Sequence, residues 1–189
     1  LSLLGHRVTI VDRYDLFDEP YRREIERLAD DHAIEVRDLD IIADGFDQLG
    51  GFDIVLLMAV VEHLIGSPKD LLEKSRSLLR PDGFLLFEVP NIAEFGRRLS
   101  LLRGRSPLPP YADYFESSYP YFGHNREMTV AEVRFLLNKT GFEIESLGCY
   151  DYNPLKATNL RTFALKWLKR IAPLANKGQS VAAKARPKV

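Results

Sequence analysis

In the stretch FDIVLLMAVVEHL, residues 52–64, an apolar run leads directly into a charged pair, and this order is the strongest indication of the fold. The apolar part has the length and composition of a buried β-strand. Glu62 and His63 follow it immediately. In α/β folds, ligands bind beyond the carboxyl ends of parallel strands. The stretch therefore predicts a parallel sheet with functional side chains directly after this strand.

The first half of the chain alternates apolar strands with helical segments, a pattern typical of an α/β fold with helices on both faces of a mostly parallel sheet. One helix is expected to begin near Pro20 and end near Asp31, and another to begin at Ser67 and Pro68. Pro81, Asp82 and Gly83 are expected to form a turn. The predicted strands of this half cover residues 8–11, 34–37, 53–58 and 84–89.

The second half is more varied. A short helix is expected over residues 93–102, and Thr129 with Glu132 has the spacing of a capping box that begins a helix through Thr140. Apolar residues at helical spacing predict a basic amphipathic helix over 160–172. Two strands are expected, at 142–150 and, antiparallel at the end, at 180–185.

Composition sets limits on the class of protein. The chain has 189 residues, 46% of them hydrophobic, which fits one domain with a substantial core. Its net charge of -1 gives no reason to expect nucleic acid as a partner. One cysteine, Cys149, suits the cytoplasm, and no apolar run is long enough to span a membrane. The start lacks Met and signal-peptide features, so we expect the natural beginning to be missing.

Two carboxylates follow predicted strands and are candidates for nucleoside binding. Asp12 closes the strand in GHRVTIVD, where a carboxylate can accept hydrogen bonds from ribose hydroxyls. Asp38 closes the next strand and is suited to an adenine amino group, with Leu39 beside the ring. The alternative for each is an ordinary turn carboxylate in water.

Four segments, taken in order, resemble the class I S-adenosylmethionine-dependent methyltransferases of the methyltransferase-11 and methyltransferase-23 type. They are VTIVD, FDIVLLMAVVEHL, LLRPDGFLLFEVPN and GHNREMTVAEVRFLLNKTGFEI. The resemblance runs from Gly5 to about Pro154 and implies S-adenosylmethionine as the cofactor. By position it implies that Asp12, with Arg13 beside it, binds the ribose. It also implies that Asp38 and Leu39 border the adenine, and that Met58 and Ala59 line the methionine end.

The chain departs from this family at its start. The family's first strand and its glycine-rich loop would lie upstream of Leu1, between the strands that end at Asp12 and Met58. Without that strand, its two neighbours would lose backbone hydrogen-bond partners. We therefore expect residues 1–189 alone to bind the cofactor poorly, and the full-length protein to bind it.

Glu62, His63 and His124 are the candidate catalytic residues. Histidine titrates near neutral pH and can take a proton from an acceptor hydroxyl during methyl transfer. The alternative is structural, with Glu62 orienting a loop and the two histidines packing or anchoring loops. Some quinone-biosynthesis relatives carry a second acid three residues before this Glu and are thought to bind a metal there. Because Ala59 stands at that place, no metal is expected.

Two segments have both a functional and a structural interpretation. Residues 103–122 hold six aromatic residues and four prolines, typical of a substrate lid or of a loop that packs on itself. The helix over 160–172 is expected to pack on the sheet with its basic face in water. A second interpretation is contact with an anionic membrane surface.

The predicted activity is methyl transfer to oxygen or nitrogen of a small-molecule, glycan or lipid-linked acceptor, and neither the acceptor nor the oligomeric state follows from the sequence. One alternative is an NAD(P)-dependent reductase, because Asp12 suits a dinucleotide ribose and Tyr152 with Lys156 has the Tyr-x-x-x-Lys spacing. Pro154 within that spacing disfavours the helix that would align the pair. The other alternative is a methyltransferase-like binding module without catalysis.

Overall fold

The structure is a computed structural model, and it describes residues 1–14, 17–41, 43–44, 49–118, 121, 123–152 and 160–188, with only the backbone given for 160 and 161. The chain divides into two compact units, residues 1–49 and residues 50–189.

The first unit is built on two parallel strands and one helix. Strand β1 covers Val8–Asp12 and pairs in parallel with β2, Ile34–Asp38, in a register that sets Asp12 opposite Asp38. Helix α1, Glu19–Asp31, connects them. The side chain of Asp18 accepts a hydrogen bond from the Tyr21 amide and caps this helix, so the predicted start near Pro20 is confirmed.

The second unit contains a four-stranded sheet in the order β3-β4-β6-β5. Its strands are β3 (Phe52–Met58), β4 (Leu79–Pro90), β5 (Phe142–Tyr150) and β6 (Ser180–Pro187). Strands β3 and β4 are parallel, whereas β6 is antiparallel to both β4 and β5. The predicted α/β class, with parallel strands and an antiparallel last strand, is confirmed. Among the described residues, β1 and β3 are edge strands with one unpaired side each.

Strand β4 is longer than the sequence predicts. The expected turn at residues 81–83 lies inside the strand as a break in register, because Leu79 pairs with Phe52 while Phe84 pairs with Ile54. Gly83 permits this bulge. A Cβ atom there would lie 2.9 Å from the Phe52 carbonyl oxygen, closer than any larger residue tolerates.

Helices of the second unit are α2 (Lys69–Leu78), α3 (Phe95–Leu102), α4 (Tyr111–Phe115), α5 (Val130–Lys139) and α6 (Leu160–Ile171). The capping box of Thr129 and Glu132 is present at the start of α5, as predicted. The core lies between the sheet and helices α2 and α5, with Leu72, Leu85 and Val133 fully buried. Helix α4 forms within the segment 103–122, which the sequence treats as loop.

Helix α6 forms where it is predicted, but its apolar stripe is not buried. Phe163, Trp167 and Ile171 are exposed, because the helix turns the side of Leu165 and Lys169 toward the rest of the unit. The predicted packing of this stripe on the sheet is therefore wrong for the described residues. Within the described ranges, no helix has the length and apolar character needed to cross a bilayer.

Candidate active site

In the first unit, the two predicted nucleoside carboxylates come together at the carboxyl ends of β1 and β2. Asp12 and Asp38 are register partners, and the amide of Leu39 donates to the Asp12 carbonyl oxygen at 3.1 Å. Asp12 is exposed, and its Oδ1 accepts from the Arg13 amide at 2.8 Å. This arrangement holds the Asp12 carboxylate at the strand end, where it can accept hydrogen bonds from a pair of hydroxyls.

Asp38 also has a structural task in this unit. Its Oδ1 accepts a hydrogen bond from the backbone amide of Tyr14 at 2.9 Å. Tyr14 is buried, and desolvation together with the charges of Asp12 and Asp38 raises the pKa of its hydroxyl. Arg13 forms an ion pair with Asp40 at 3.3 Å. The turn after β1 is thus fixed against the turn after β2.

In the second unit, Met58 and Ala59 end β3 with exposed side chains. Ala59 has a φ of +55°, in the left-handed region that non-glycine residues rarely adopt, and its amide donates to the Glu88 carbonyl oxygen at 3.1 Å. Such backbone strain is more frequent at functional sites than elsewhere. The chain therefore leaves β3 in a sharp turn that exposes the Met58 side chain at the sheet edge.

Glu62 follows this turn and is fully buried. It lies in a short 3-10 helix, Val61–His63, and among the described residues neither carboxylate oxygen has a hydrogen-bond partner. Desolvation raises the pKa of this carboxyl. A buried carboxylate without hydrogen-bond partners is costly, which makes Glu62 a candidate for a role beyond packing.

His124 is held in one orientation by a neighbouring carboxylate that the sequence analysis did not identify. Its Nδ1 lies 2.6 Å from Oε1 of Glu127, and Glu127 is buried and also paired with Arg97, whose Nη2 lies 2.9 Å from the same Oε1. Desolvation, with the charges of His63 and Arg97, lowers the pKa of His124. Because a carboxylate can only accept, Nδ1–H donates to Glu127, and Nε2 is left as the basic nitrogen.

The structure brings together all three predicted catalytic residues. The rings of His63 and His124 meet edge to face with centroids 4.9 Å apart, and Nε2 of His63 lies 4.0 Å from Oε1 of Glu62. The segment after His124 is bound to this turn, because the Asn125 amide donates to the Glu62 carbonyl oxygen at 2.7 Å. A parallel bridge between Asn91 and Met128 holds the same segment beside the end of β4. The cluster therefore lies at the carboxyl edge of the parallel strands.

These three side chains also form a group that offers ligand atoms to a metal ion. Their candidate atoms lie within 4.8 Å of one another. Ligands of one zinc ion, at about 2.1 Å from the metal, lie roughly 3.4 Å apart in a tetrahedral site. The side chains would have to move closer to hold a metal, and the absence of a metal stays a prediction.

Sequence reasoning missed Glu127 and Arg97, which orient His124. The only local signal was the spacing of His124 and Glu127 in GHNRE, which is too common to identify a pair. Arg97 lies 30 residues from Glu127 and no spacing rule connects them. Of the lid aromatics, Tyr119 and Phe122 lie outside the described residues, as do Pro154 and Lys156. Tyr111 and Tyr114 have ring centroids 6.0 Å apart.

Comparison with known proteins identifies the family. A family model described as a methyltransferase domain matches residues 4–147. A curated relative, a probable S-adenosylmethionine-dependent methyltransferase of Mycolicibacterium smegmatis, is 34% identical over 100 residues. That alignment covers 52% of this chain and 32% of the relative, so the chain spans about a third of the length of the relative it matches.

Solved structures share the fold at low sequence identity. A putative S-adenosylmethionine-dependent methyltransferase from Listeria monocytogenes has a TM-score of 0.59 at 18% identity, over 97% of this chain and 80% of that one. The 1,6-didemethyltoxoflavin-N1-methyltransferase of Burkholderia thailandensis, solved with S-adenosylhomocysteine, has a TM-score of 0.54 at 20% identity, over 98% of this chain and 63% of that one. Because the family model covers most of the sequence, the chain belongs to the methyltransferase domain family of the class I, S-adenosylmethionine-dependent type.

Proposed function

We propose that the full-length protein transfers a methyl group from S-adenosylmethionine to an oxygen or nitrogen atom of a small-molecule, glycan or lipid-linked acceptor in the cytoplasm. The observation that carries this proposal is the cluster of Glu62, His63 and His124 at the carboxyl edge of the strands, in a chain of this family. A neutral imidazole oriented by a carboxylate is the arrangement expected of a general base.

Cofactor binding is proposed for the residues that the family resemblance implies, each described within its own unit. Asp12 with Arg13 is proposed to hold the ribose, and Asp38 with Leu39 to border the adenine. Met58 and Ala59 are proposed to line the methionine end. The exposed Asp12 carboxylate supports its role, and the left-handed turn at Ala59 supports close approach of a ligand to the end of β3. The likeness to a structure solved with S-adenosylhomocysteine agrees with this cofactor.

When bound, S-adenosylmethionine would supply the methyl group from its sulfonium to the acceptor atom, with S-adenosylhomocysteine as the leaving group. In this mechanism Nε2 of His124 takes the proton released by the acceptor. Glu127 accepts from Nδ1 and stabilises the ring as it becomes charged. His63 lies edge-on to His124 and is proposed to border the acceptor. Glu62 positions the turn that carries His63.

The segment 103–122 is proposed to cover the site as a lid within a single methyltransferase domain. Its described aromatic rings contact each other, since Tyr114 and Tyr121 have centroids 5.1 Å apart in an edge-to-face arrangement. Water exclusion by such a lid would protect the reaction from the solvent.

A binding module without catalysis is the competing function. The other alternative, a reductase, is disfavoured because the family match favours a methyltransferase. The test is to incubate the full-length protein with S-adenosylmethionine and a panel of sugars, glycans, lipids and quinols, and to measure S-adenosylhomocysteine. Formation that depends on one acceptor class is expected. A folded protein that binds the cofactor but forms no product with any acceptor would contradict the proposal and favour the module.

A further inference from the structure

The exposed face of α6 combines aromatic, aliphatic and cationic side chains. At about 100° per residue, Phe163 and Trp167 form the centre of this face. Lys166 and Arg170 flank them on one side, and the other side carries two aliphatic side chains, Leu168 and Ile171. Trp167 is 55% exposed and Phe163 is 59% exposed. Exposed apolar patches of this kind mark interaction sites rather than ordinary surface.

The helix is fixed to the second unit by its opposite side, so the exposed face is not a consequence of a loose attachment. Nζ of Lys169 lies 2.5 Å from Oδ1 of Asp151, which also accepts from the Gln179 amide at 3.1 Å. Near the C-terminal end of the helix, Lys177 donates to the Ala172 carbonyl oxygen at 2.8 Å. Lys169 therefore anchors the helix to the unit, while Phe163 and Trp167 remain more than half exposed.

The positive charge around α6 indicates which kind of partner binds its exposed face. Residues 152–189 contain nine Lys or Arg and no Asp or Glu, although the whole chain has a net charge of -1. Among the described residues, Lys166 and Arg170 have no acidic partner for their side chains. An anionic partner is thus favoured over a second copy of this chain, whose α6 would carry the same positive charge.

We infer that the face of α6 formed by Phe163, Lys166, Trp167, Arg170 and Ile171 binds the surface of an anionic lipid bilayer. Aromatic side chains enter the boundary between headgroups and acyl chains, and the flanking cations contact lipid phosphates. The same helix face borders an open cleft of about 740 Å³, together with Tyr150 and Gly178, which gives a headgroup room beside the helix. This inference does not depend on methyl transfer.

Trp167 is the only tryptophan in the chain, so its fluorescence reports directly on this face. The experiment adds vesicles of equimolar phosphatidylcholine and phosphatidylglycerol to the full-length protein, with pure phosphatidylcholine vesicles in parallel. If the full-length chain contains further tryptophans, they are replaced by phenylalanine so that only Trp167 contributes to the emission. We expect emission to move to shorter wavelength with the anionic vesicles only, and the shift to weaken in high salt.

Two double variants distinguish binding by this face of α6 from a general effect of the protein's net charge. Lys166→Glu with Arg170→Glu is expected to weaken co-sedimentation with anionic vesicles by about thirtyfold or more, because each cation near a membrane contributes about 1 kcal/mol and its reversal adds repulsion. The matched control reverses two exposed charges on α5, Arg134→Glu with Lys139→Glu, and is expected to change binding little. Circular dichroism confirms that both variants are folded.

Three results would overturn the inference. They are no spectral shift with anionic vesicles, an equal shift with uncharged vesicles, and an equal loss of binding in the α5 control. A tryptophan spectrum that is already shifted to short wavelength without vesicles would also contradict it, because another part of the protein would then cover α6.

Discussion

Nδ1 of His124 and Oε1 of Glu127 are 2.6 Å apart, in a segment that is bound by backbone hydrogen bonds to the turn carrying Glu62. This contact sets the tautomer of His124 and leaves Nε2 as its basic atom. The carboxylate is buried and is itself paired with Arg97. A histidine whose ring is fixed in this way is suited to accept a proton at Nε2.

Replacement of His124 tests its role as the base. His124→Asn is expected to lower kcat by about 10²- to 10⁴-fold with little change in the KM for S-adenosylmethionine, because a general base contributes about this much. Steady-state kinetics on the full-length protein measures both constants. His6→Asn, at an exposed position before β1, is the matched control and should retain full activity. An active His124→Asn enzyme would exclude His124 as the base.

The pH dependence of the rate follows from the pKa of His124. Desolvation and neighbouring charge lower this pKa, so the base stays neutral and active at mildly acidic pH. The rate at saturating substrate is expected to fall only below the ordinary histidine range, as His124 becomes protonated. A profile of kcat against pH measures this limb. A fall that begins above pH 7 would show that another group supplies the base.

Stability at neutral pH is expected to rise when Glu62 is replaced by Gln. The raised pKa means that, above the ordinary pKa of glutamate, the folded protein keeps a proton that the unfolded chain releases. The free energy of unfolding therefore falls as pH rises through the window between the two values. Glu62→Gln abolishes this fall and should stabilise the protein at neutral pH.

Denaturant unfolding of both proteins at acidic and neutral pH provides the measurement. The difference between Glu62→Gln and the natural protein should shrink at acidic pH, where Glu62 is protonated and uncharged in both folded and unfolded chains. Glu73→Gln, a change at a half-buried position on α2, serves as the control. A variant that is less stable than the natural protein at neutral pH would mean that the ionised carboxylate has a partner.

Removal of metal is expected to leave activity unchanged. The ligand atoms of Glu62, His63 and His124 are spread more widely than a bound metal requires, and Ala59 contributes none. Treatment with a chelator such as EDTA, followed by the product assay, tests this expectation. Loss of activity that added zinc or manganese restores would instead assign the three side chains to a metal.

Periodicity and turn chemistry were sufficient to predict most of the fold. The carboxyl ends of β1 and β3 and the capping box at Thr129 are properties of residues close together in the chain. The continuous β4 was missed because its bulge depends on the close approach of β3 at Gly83. The exposed stripe of α6 was missed because helical spacing predicts an apolar face but not what covers it.

The three candidate catalytic residues were predictable, but the contacts between them were not. The family motifs pointed to Glu62, His63 and His124, and tertiary structure was needed to bring residues 62 and 124 together. Glu127 was not distinguishable from an ordinary surface acid, since its burial and its ion pair with Arg97 depend on residues far apart in the chain. Long-range ion pairs of this kind leave no periodic signal in a sequence.

The assignment of Asp12 to the cofactor is tested by titration of S-adenosylhomocysteine into the full-length protein, into its Asp12→Asn variant and into residues 1–189 alone. We expect the full-length protein to bind and the variant to lose about tenfold or more in affinity, because hydrogen bonds to a charged group contribute about 1.5–3 kcal/mol. Weak binding by residues 1–189 is also expected, since β1 and β3 each have an unpaired edge in the described sheets. Unchanged affinity in Asp12→Asn, or micromolar binding by residues 1–189 alone, would contradict these expectations.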